Sequence, residues 1–278
     1  MGLAYVFDEK AAKGLDAWYR SDEGRAVWRL QSDLMFRLLD PRPRERLLDV
    51  GCGSGLYLQA FKRTGLEVTG VDPSKFMLDL AEARLGSRAG LFPGRAEDLP
   101  FEDNEFDIVT LITTLEFVAD PEAALAEAFR VAKGRVYIGV LNSWSMTAVM
   151  RRINGLFRDS FYRRARFYSP WELWGLIRNQ HATARIKCAS VGLLPPKLSS
   201  RVESLESSSW MQRNPFGAYL GLVAHVTYSW ITDNLVADSK LALTRKPAAT
   251  HTPTAREFDP PAPPPRPDIR PTPSEVWR

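Results

Sequence analysis

Two hydrophobic periods alternate along the first half of this chain. Short, largely apolar runs, the mark of strands buried on both faces, stand at residues 47–50, 67–71, 89–92, 106–112 and 135–141. Between them apolar residues recur every three or four positions: Leu56, Leu58, Ala60 and Phe61, then Met77, Leu78, Leu80, Ala81 and Leu85, then Ala124, Leu125, Ala128, Phe129 and Val131. Punctuation agrees, because Pro73-Ser74 and Asp120-Pro121 open helices and Gly134 reads as the stop of the last one. Strands alternating with helices predict an α/β fold with a mostly parallel, doubly wound sheet.

The pattern then loosens. Residues 143–168 are rich in arginine and aromatics, and Ser169-Pro170-Trp171-Glu172-Leu173 opens another helix in capping-box order. Residues 184–191 and 218–228 alternate as two further strands, a closing pair with a long connection. From about residue 246 prolines dominate, so 246–278 reads as a disordered or polyproline tail. The expected organisation is an N-terminal helical cap over 1–40, a main domain over 41–245 and that tail.

At 278 residues with 45% hydrophobic and 25% charged positions, the composition is that of an ordinary globular protein. No apolar run would span a bilayer and the start lacks signal-peptide character, so a cytoplasmic protein is expected. Two cysteines, Cys52 and Cys188, offer neither a disulfide framework nor a metal spacing, and no metal is expected. A net charge of +4 permits contact with nucleic acid or anionic lipid without arguing for either.

The sharpest chemical signal is Asp49-Val50-Gly51-Cys52-Gly53-Ser54-Gly55, followed by a strand ending at Asp72. A dinucleotide fingerprint needs Gly-x-Gly-x-x-Gly. Here the third glycine comes one residue early, and Asp49 would repel a pyrophosphate while facing a cation. A ligand carrying an ammonium or sulfonium and a ribose satisfies Asp49, the glycine backbone and Asp72 together, and S-adenosylmethionine is such a ligand.

With Gly94-Arg95-Ala96-Glu97-Asp98-Leu99-Pro100-Phe101, Phe106-Asp107-Ile108-Val109 and Leu115-Glu116-Phe117-Val118-Ala119-Asp120-Pro121 in register, the chain resembles the class I S-adenosylmethionine-dependent methyltransferases, in the subgroup of the ubiquinone and menaquinone enzymes. The resemblance covers residues 15–142 and the later strands by topology. It implies a Rossmann-like doubly wound seven-stranded sheet, mostly parallel with an antiparallel last strand.

It also implies roles. Asp49 with Gly51, Gly53 and Gly55 would hold the amino-acid end of the cofactor, Asp72 the ribose hydroxyls, Pro73, Met77 and Leu99 the adenine faces, Glu97 and Asp98 the adenine edge, and Ile112 and Thr113 the methionine amine. At Arg95 the family usually has an acid that accepts from adenine; arginine cannot accept, which leaves Asp98 or a backbone carbonyl. Where many relatives carry histidine this chain has Glu116, readable as a general base or as an acid favoured by the dipole of the following helix, the second being preferred. Trp18 and Tyr19 lie in the segment that in relatives folds over the cofactor, and either ring would attract a sulfonium or simply pack. His225 is the histidine expected nearest a pocket. Catalytic candidates are thus Glu116, Tyr19 and His225, none decisive.

Acceptor residues are expected after the fifth strand. Trp144, Met146, Val149, Met150, Ile153, Leu156 and Phe157 at helical spacing, edged by Arg151, Arg152, Arg158, Arg163, Arg164 and Arg166, suit a lid over an apolar or anionic substrate, a helix on a membrane surface, or plain packing. Asn214-Pro215-Phe216-Gly217 reads as a turn. The expected function is methyl transfer to a small molecule that is quinone-like, lipid-like or a secondary metabolite. The alternatives are an RNA methyltransferase, which the local clustering of arginines disfavours, and a non-catalytic cofactor-binding regulator. The acceptor atom and the oligomeric state are not legible.

Overall fold

Helix starts here are set by short polar side chains that satisfy otherwise unpaired amides. In the computed structural model, which describes residues 5–86, 89–145, 164–182, 184–193 and 214–226, Asp8 caps α1 (Glu9–Tyr19), Ser21 caps α2 (Asp22–Leu39), Ser74 caps α4 (Lys75–Leu85), Asp120 caps α5 (Pro121–Val131) and Ser169 caps α6 (Pro170–Gln180). The exception is α3 (Leu56–Arg63), which begins at Gly55 in a left-handed conformation with no side-chain cap. The box at α6 is half made: Ser169 accepts from the Glu172 amide, while the Glu172 carboxylate pairs with Arg166 at 2.6 Å.

The strands are β1 (Arg46–Val50), β2 (Glu67–Asp72), β3 (Gly90–Pro93), β4 (Phe106–Ile112), β5 (Ala132–Leu141), β6 (Arg185–Val191) and β7 (Tyr219–His225). They form one seven-stranded sheet in the order β3-β2-β1-β4-β5-β7-β6. The first five run parallel, and β7 is antiparallel to both of its neighbours. This is the expected Rossmann-like architecture with its antiparallel last strand.

Successive residues along a buried strand point to opposite faces. Leu47, Ile108, Tyr137 and Val223 therefore join Trp28, Met35, Phe36 and Leu39 of α2 and Phe61 of α3 in one core. Leu48, Val109, Val136 and Leu222 join Leu125 and Phe129 of α5 and Leu173 and Ile177 of α6 in the other. The α2 helix also packs Leu30 and Leu34 on Val191 and Tyr219, so α2 shares the core of the sheet.

Gly134 does not stop α5. The helix ends at Val131, Ala132 is already extended, and β5 absorbs a register jump from Phe106↔Ala132 to Ile108↔Arg135. A Cβ on Gly134 would stand 2.9 Å from the Asp107 carbonyl oxygen, so the glycine serves the bulge. The third strand lies one residue later than its apolar run, and β7 is shorter than 218–228. The proline-rich tail and the helical stripe over 146–163 lie outside the described residues. No described helix is long and apolar enough to cross a membrane.

Candidate functional site

Parallel strands end in carbonyls and loops on one edge, and ligands of open α/β sheets bind there, where strand order reverses. Here the reversal falls between β1 and β4, and two adjoining cavities open beside it. The larger, about 920 Å³, is lined by Asp49, Gly51, Gly53, Met77, Ile112 and aromatics from α1. The smaller, about 580 Å³, is lined by Pro73, Arg95, Ala96, Glu97, Val118 and Tyr5. Phe7, Gly51, Asp72, Thr113 and Phe117 line both.

Asp72 is the last residue of β2 and sits in that shared wall. Its Oδ2 accepts from the Gly53 amide at 2.9 Å and its Oδ1 from the Ser74 amide at 2.8 Å. Each oxygen keeps a second lone pair, so the fixed carboxylate can accept two hydroxyls side by side. Burial raises its pKa, against the two backbone bonds that lower it.

Asp49 lies one residue from the end of β1 and is fully buried. Thr110 on neighbouring β4 donates to its Oδ1 at 2.7 Å. Burial pushes its pKa up to about 7; the Thr110 bond opposes this and the nearby charge of Asp72 adds to it. A carboxylate so short of solvation favours a cation beside it.

The glycine turn contributes differently from expectation. The amides of Gly51 and Cys52 both donate to the Val71 carbonyl, that of Gly53 to Asp72 and that of Gly55 to the Cys52 carbonyl. These amides are already used, so the turn serves by shape. Gly51 has φ +72, and a Cβ there would strike Thr114 at 2.6 Å. Gly55 lines neither cavity. With φ +73 it lets α3 approach α4, where a Cβ would meet Ala81 at 3.0 Å and Leu85 at 3.1 Å.

Pro73 and Met77 border cavities as expected, but on different sides: Pro73 the smaller, Met77 the larger. Leu99 and Asp98 border neither. Leu99 is in the core beneath α5, its amide donating to Glu127, and Asp98 is exposed. The bridge between Arg95 and Asp98 turns that loop so that Ala96 and Glu97 face the cavity. Glu97 is itself engaged, accepting from the Ala119 amide at 2.9 Å. Its burial raises the pKa, yet these backbone bonds and Arg95 outweigh burial and hold it below the usual range. Ile112 and Thr113 are in place. Thr113 adopts φ +54, strained for a β-branched residue, and is fixed by its amide to the Gly139 carbonyl at 2.7 Å.

Of the catalytic candidates, Tyr19 lines the larger cavity with Trp18. Glu116 does not sit at the start of α5, so the dipole reading fails. It lies in the turn before that helix, and its Oε1 accepts from the Leu141 amide at 2.7 Å. Its Oε2 is buried with no hydrogen-bond partner among the described residues, and burial pushes its pKa to about 8. Its backbone carbonyl accepts from the Arg166 amide, so Glu116 ties residues 141 and 166 together. His225 is at the wrong edge: β7 runs antiparallel, and His225 pairs with Arg135 at the start of β5 while Tyr219 reaches Leu141 near the site.

Sequence reasoning missed the N-terminal strap. Tyr5 and Phe7 pack on Phe117, the Tyr5 amide donates to the Phe117 carbonyl at 3.0 Å, and Ser74 donates to the Phe7 carbonyl at 2.6 Å. It also missed Gln31 and Tyr57, bonded at 2.5 Å in the wall of the larger cavity. The Asp8 cap of α1 was the available signal for the strap.

The donor set fits S-adenosylmethionine: a two-oxygen acceptor in the shared wall, a buried carboxylate for an ammonium on one side, and a mostly apolar cleft on the other. The comparisons agree. Residues 48–138 match the family described as Methyltransferase domain. An uncharacterized protein of Methanocaldococcus jannaschii is 33% identical over 62% of this chain and 78% of its own length. A demethylmenaquinone methyltransferase of Clavibacter sepedonicus is 35% identical over 40% of this chain and 46% of its own. A ubiquinone biosynthesis O-methyltransferase of Alkalilimnicola ehrlichii is 32% identical over 49% and 58%. The chain thus spans about half the length of these two enzymes. Among solved structures, an S-adenosylmethionine-dependent methyltransferase of Thermotoga maritima superposes with a TM-score of 0.60 at 26% identity, over 79% of this chain and 98% of that one. Sheet order, site and relatives coincide, and the chain belongs to the class I S-adenosylmethionine-dependent methyltransferase family.

Proposed function

We propose that this chain transfers a methyl group from S-adenosylmethionine to a small apolar acceptor of the quinone-like, lipid-like or secondary-metabolite kind. The observation that carries the reading is the placement of Asp72 in the wall shared by two cavities, with Asp49 buried in the larger one. The bound cofactor supplies a methyl group already activated on sulfur. Asp72 fixes a ribose, and Asp49 pairs with an ammonium. Pro73, Ala96 and Val118 offer apolar surface to a base. Phe7, Trp18, Tyr19 and Phe117 exclude water and hold the reacting groups in line, the main contribution such a transfer needs.

The acceptor reading draws support from the lining of the larger cavity, which includes Leu15, Val27, Trp18 and Tyr57. Among the described residues lining the two cavities, Arg95 is the one cation and none is histidine. That lining suits a neutral apolar molecule better than an RNA backbone, and it favours an acceptor that loses its proton without a histidine base. The relatives named for demethylmenaquinone and ubiquinone biosynthesis point the same way.

The test is incubation of the protein with methyl-labelled S-adenosylmethionine and cell extract, followed by mass spectrometry of the small-molecule and RNA fractions. Label in a small apolar compound, lost with Asp72→Ala, is expected. Label in RNA would replace this reading with an RNA methyltransferase. Tight cofactor binding with no labelled product would replace it with a regulatory binding protein.

A further inference from the structure

Large aromatic side chains left in water cost free energy, and a cluster of them marks an interaction surface. Four of the exposed large apolar residues are aromatics in neighbouring positions: Trp171 at 71% exposure, Phe216 at 50%, Trp144 at 43% and Trp174 at 38%. Trp144 stands between two of the others, its ring centroid 6.5 Å from that of Trp171 and 6.3 Å from that of Phe216, stacked on the latter. Trp171, Trp174 and Arg178 are spaced i, i+3 and i+7 on α6, so they form one outward stripe, while Leu173 and Ile177 face the core.

Three separate elements hold these rings in place. Trp144 follows β5 and its amide donates to the Asn142 side chain. That side chain also donates to the carbonyls of Pro215 and Gly217, on either side of Phe216. The patch is therefore a built surface, braced by one buried asparagine.

We propose that this aromatic face docks on an anionic lipid surface. Tryptophan has an apolar body and a polar N–H, the combination enriched at the membrane–water interface. The surrounding charge complements such a surface. Arg178 lies over the Trp174 ring, its guanidinium carbon 5.7 Å from the centroid, and the acid on this stretch of α6, Glu172, is neutralised by Arg166. In the sequence, the residues between Ser145 and Arg164 carry Arg151, Arg152, Arg158 and Arg163 against one acid, Asp159. Basic groups near a surface add attraction to anionic lipids that aromatic insertion alone does not supply. Leu141, three residues before Trp144, lines the larger cavity, so docking sets the site beside a lipid phase. The docking proposal concerns this face alone and stands whatever the acceptor proves to be.

The test is co-sedimentation of the full chain with vesicles of pure phosphatidylcholine and of phosphatidylcholine with 30% phosphatidylglycerol, with tryptophan emission read on the same samples. The anionic vesicles are expected to bind at least about tenfold more protein, with a blue shift and with quenching by brominated lipid. Trp144→Ala with Trp171→Ala should lower that partitioning about tenfold, and Arg178→Gln should lower it less. Both tryptophans are exposed, and the wild-type quenching measurement stands even if the double variant folds poorly. Equal binding to both vesicle types, no binding to either, or binding that the double variant leaves intact would overturn the proposal. So would a concentration-dependent dimer of the wild type that the same two substitutions abolish, since the face would then belong to a second copy.

Discussion

Lowering the pH should weaken cofactor binding through Asp49. Its carboxyl has an ordinary pKa of 3.8 and is pushed by burial to about 7. Ionising it inside the fold therefore costs about 4 kcal/mol more than in water. A ligand ammonium binds the carboxylate form, so affinity follows the ionised fraction, about one tenth at pH 6 and nine tenths at pH 8. An α-amino group of pKa about 8 has lost half of its own protons at pH 8, so S-adenosylmethionine should bind about fivefold more tightly at pH 8 than at pH 6, with a decline at higher pH. Calorimetric titration from pH 5.5 to 8.5, in buffers of different ionisation enthalpy, reads both affinity and proton release. Near pH 6 binding should release close to one proton. Asp49→Asn keeps an oxygen for the Thr110 hydroxyl and loses the charge. It should abolish the proton release and weaken binding at pH 8 by ten- to a hundredfold, the usual worth of a charge-assisted hydrogen bond, about 1.5–3 kcal/mol. Equal affinity at pH 6 and pH 8 with no proton release would refute the reasoning.

Further outcomes follow from the same geometry. Gly51→Ala forces a Cβ to within 2.6 Å of Thr114 at φ +72, so it should cost about 1–3 kcal/mol of stability and most cofactor affinity, whereas Gly55→Ala should lower the melting temperature with little change in affinity, since Gly55 lines no cavity. For Glu116, burial raises the folded pKa from 4.5 to about 8, so its contribution is fully present below pH 4.5 and is lost as the pH rises through 8. Glu116→Gln should then flatten the fall in melting temperature between pH 6 and 9. Removing Arg84 takes one of the two arginine partners of the buried Asp16 carboxylate and leaves Arg20 on its other oxygen at 2.7 Å, so Arg84→Met should cost about 1.5 kcal/mol by chemical denaturation. His225→Ala should leave turnover unchanged, since that side chain lies at the opposite edge of the sheet from the site.

Local chemistry decided what was readable in the sequence. Asp49, Gly51, Gly53, Asp72, Pro73 and Thr113 form the site along short stretches whose strand ends are marked by apolar runs and turn residues, and their spacing carries them to one edge. What failed depends on long-range packing. Leu99 and Asp98 border neither cavity while Ala96 and Glu97 line one, because a bridge to Arg95 turns the loop, and Glu116 finds its partner 25 residues away at Leu141. The N-terminal strap meets Ser74 across 67 residues. His225 is instructive in the other direction: once the last strand is taken as antiparallel, its final residue must lie away from the site, so that conclusion was within reach of the sequence. Gly134 shows that a glycine after an apolar helix can serve the next strand without ending the helix.

The central claim is that one ligand lies across both cavities with its ribose on Asp72, and titration of the wild-type chain and of Asp72→Asn with S-adenosylmethionine tests it most directly. One site per chain is expected, weakened at least about a hundredfold by a substitution that removes the charged partner of two hydroxyls. Absence of binding to the wild type, or equal affinity in the two proteins, would contradict it.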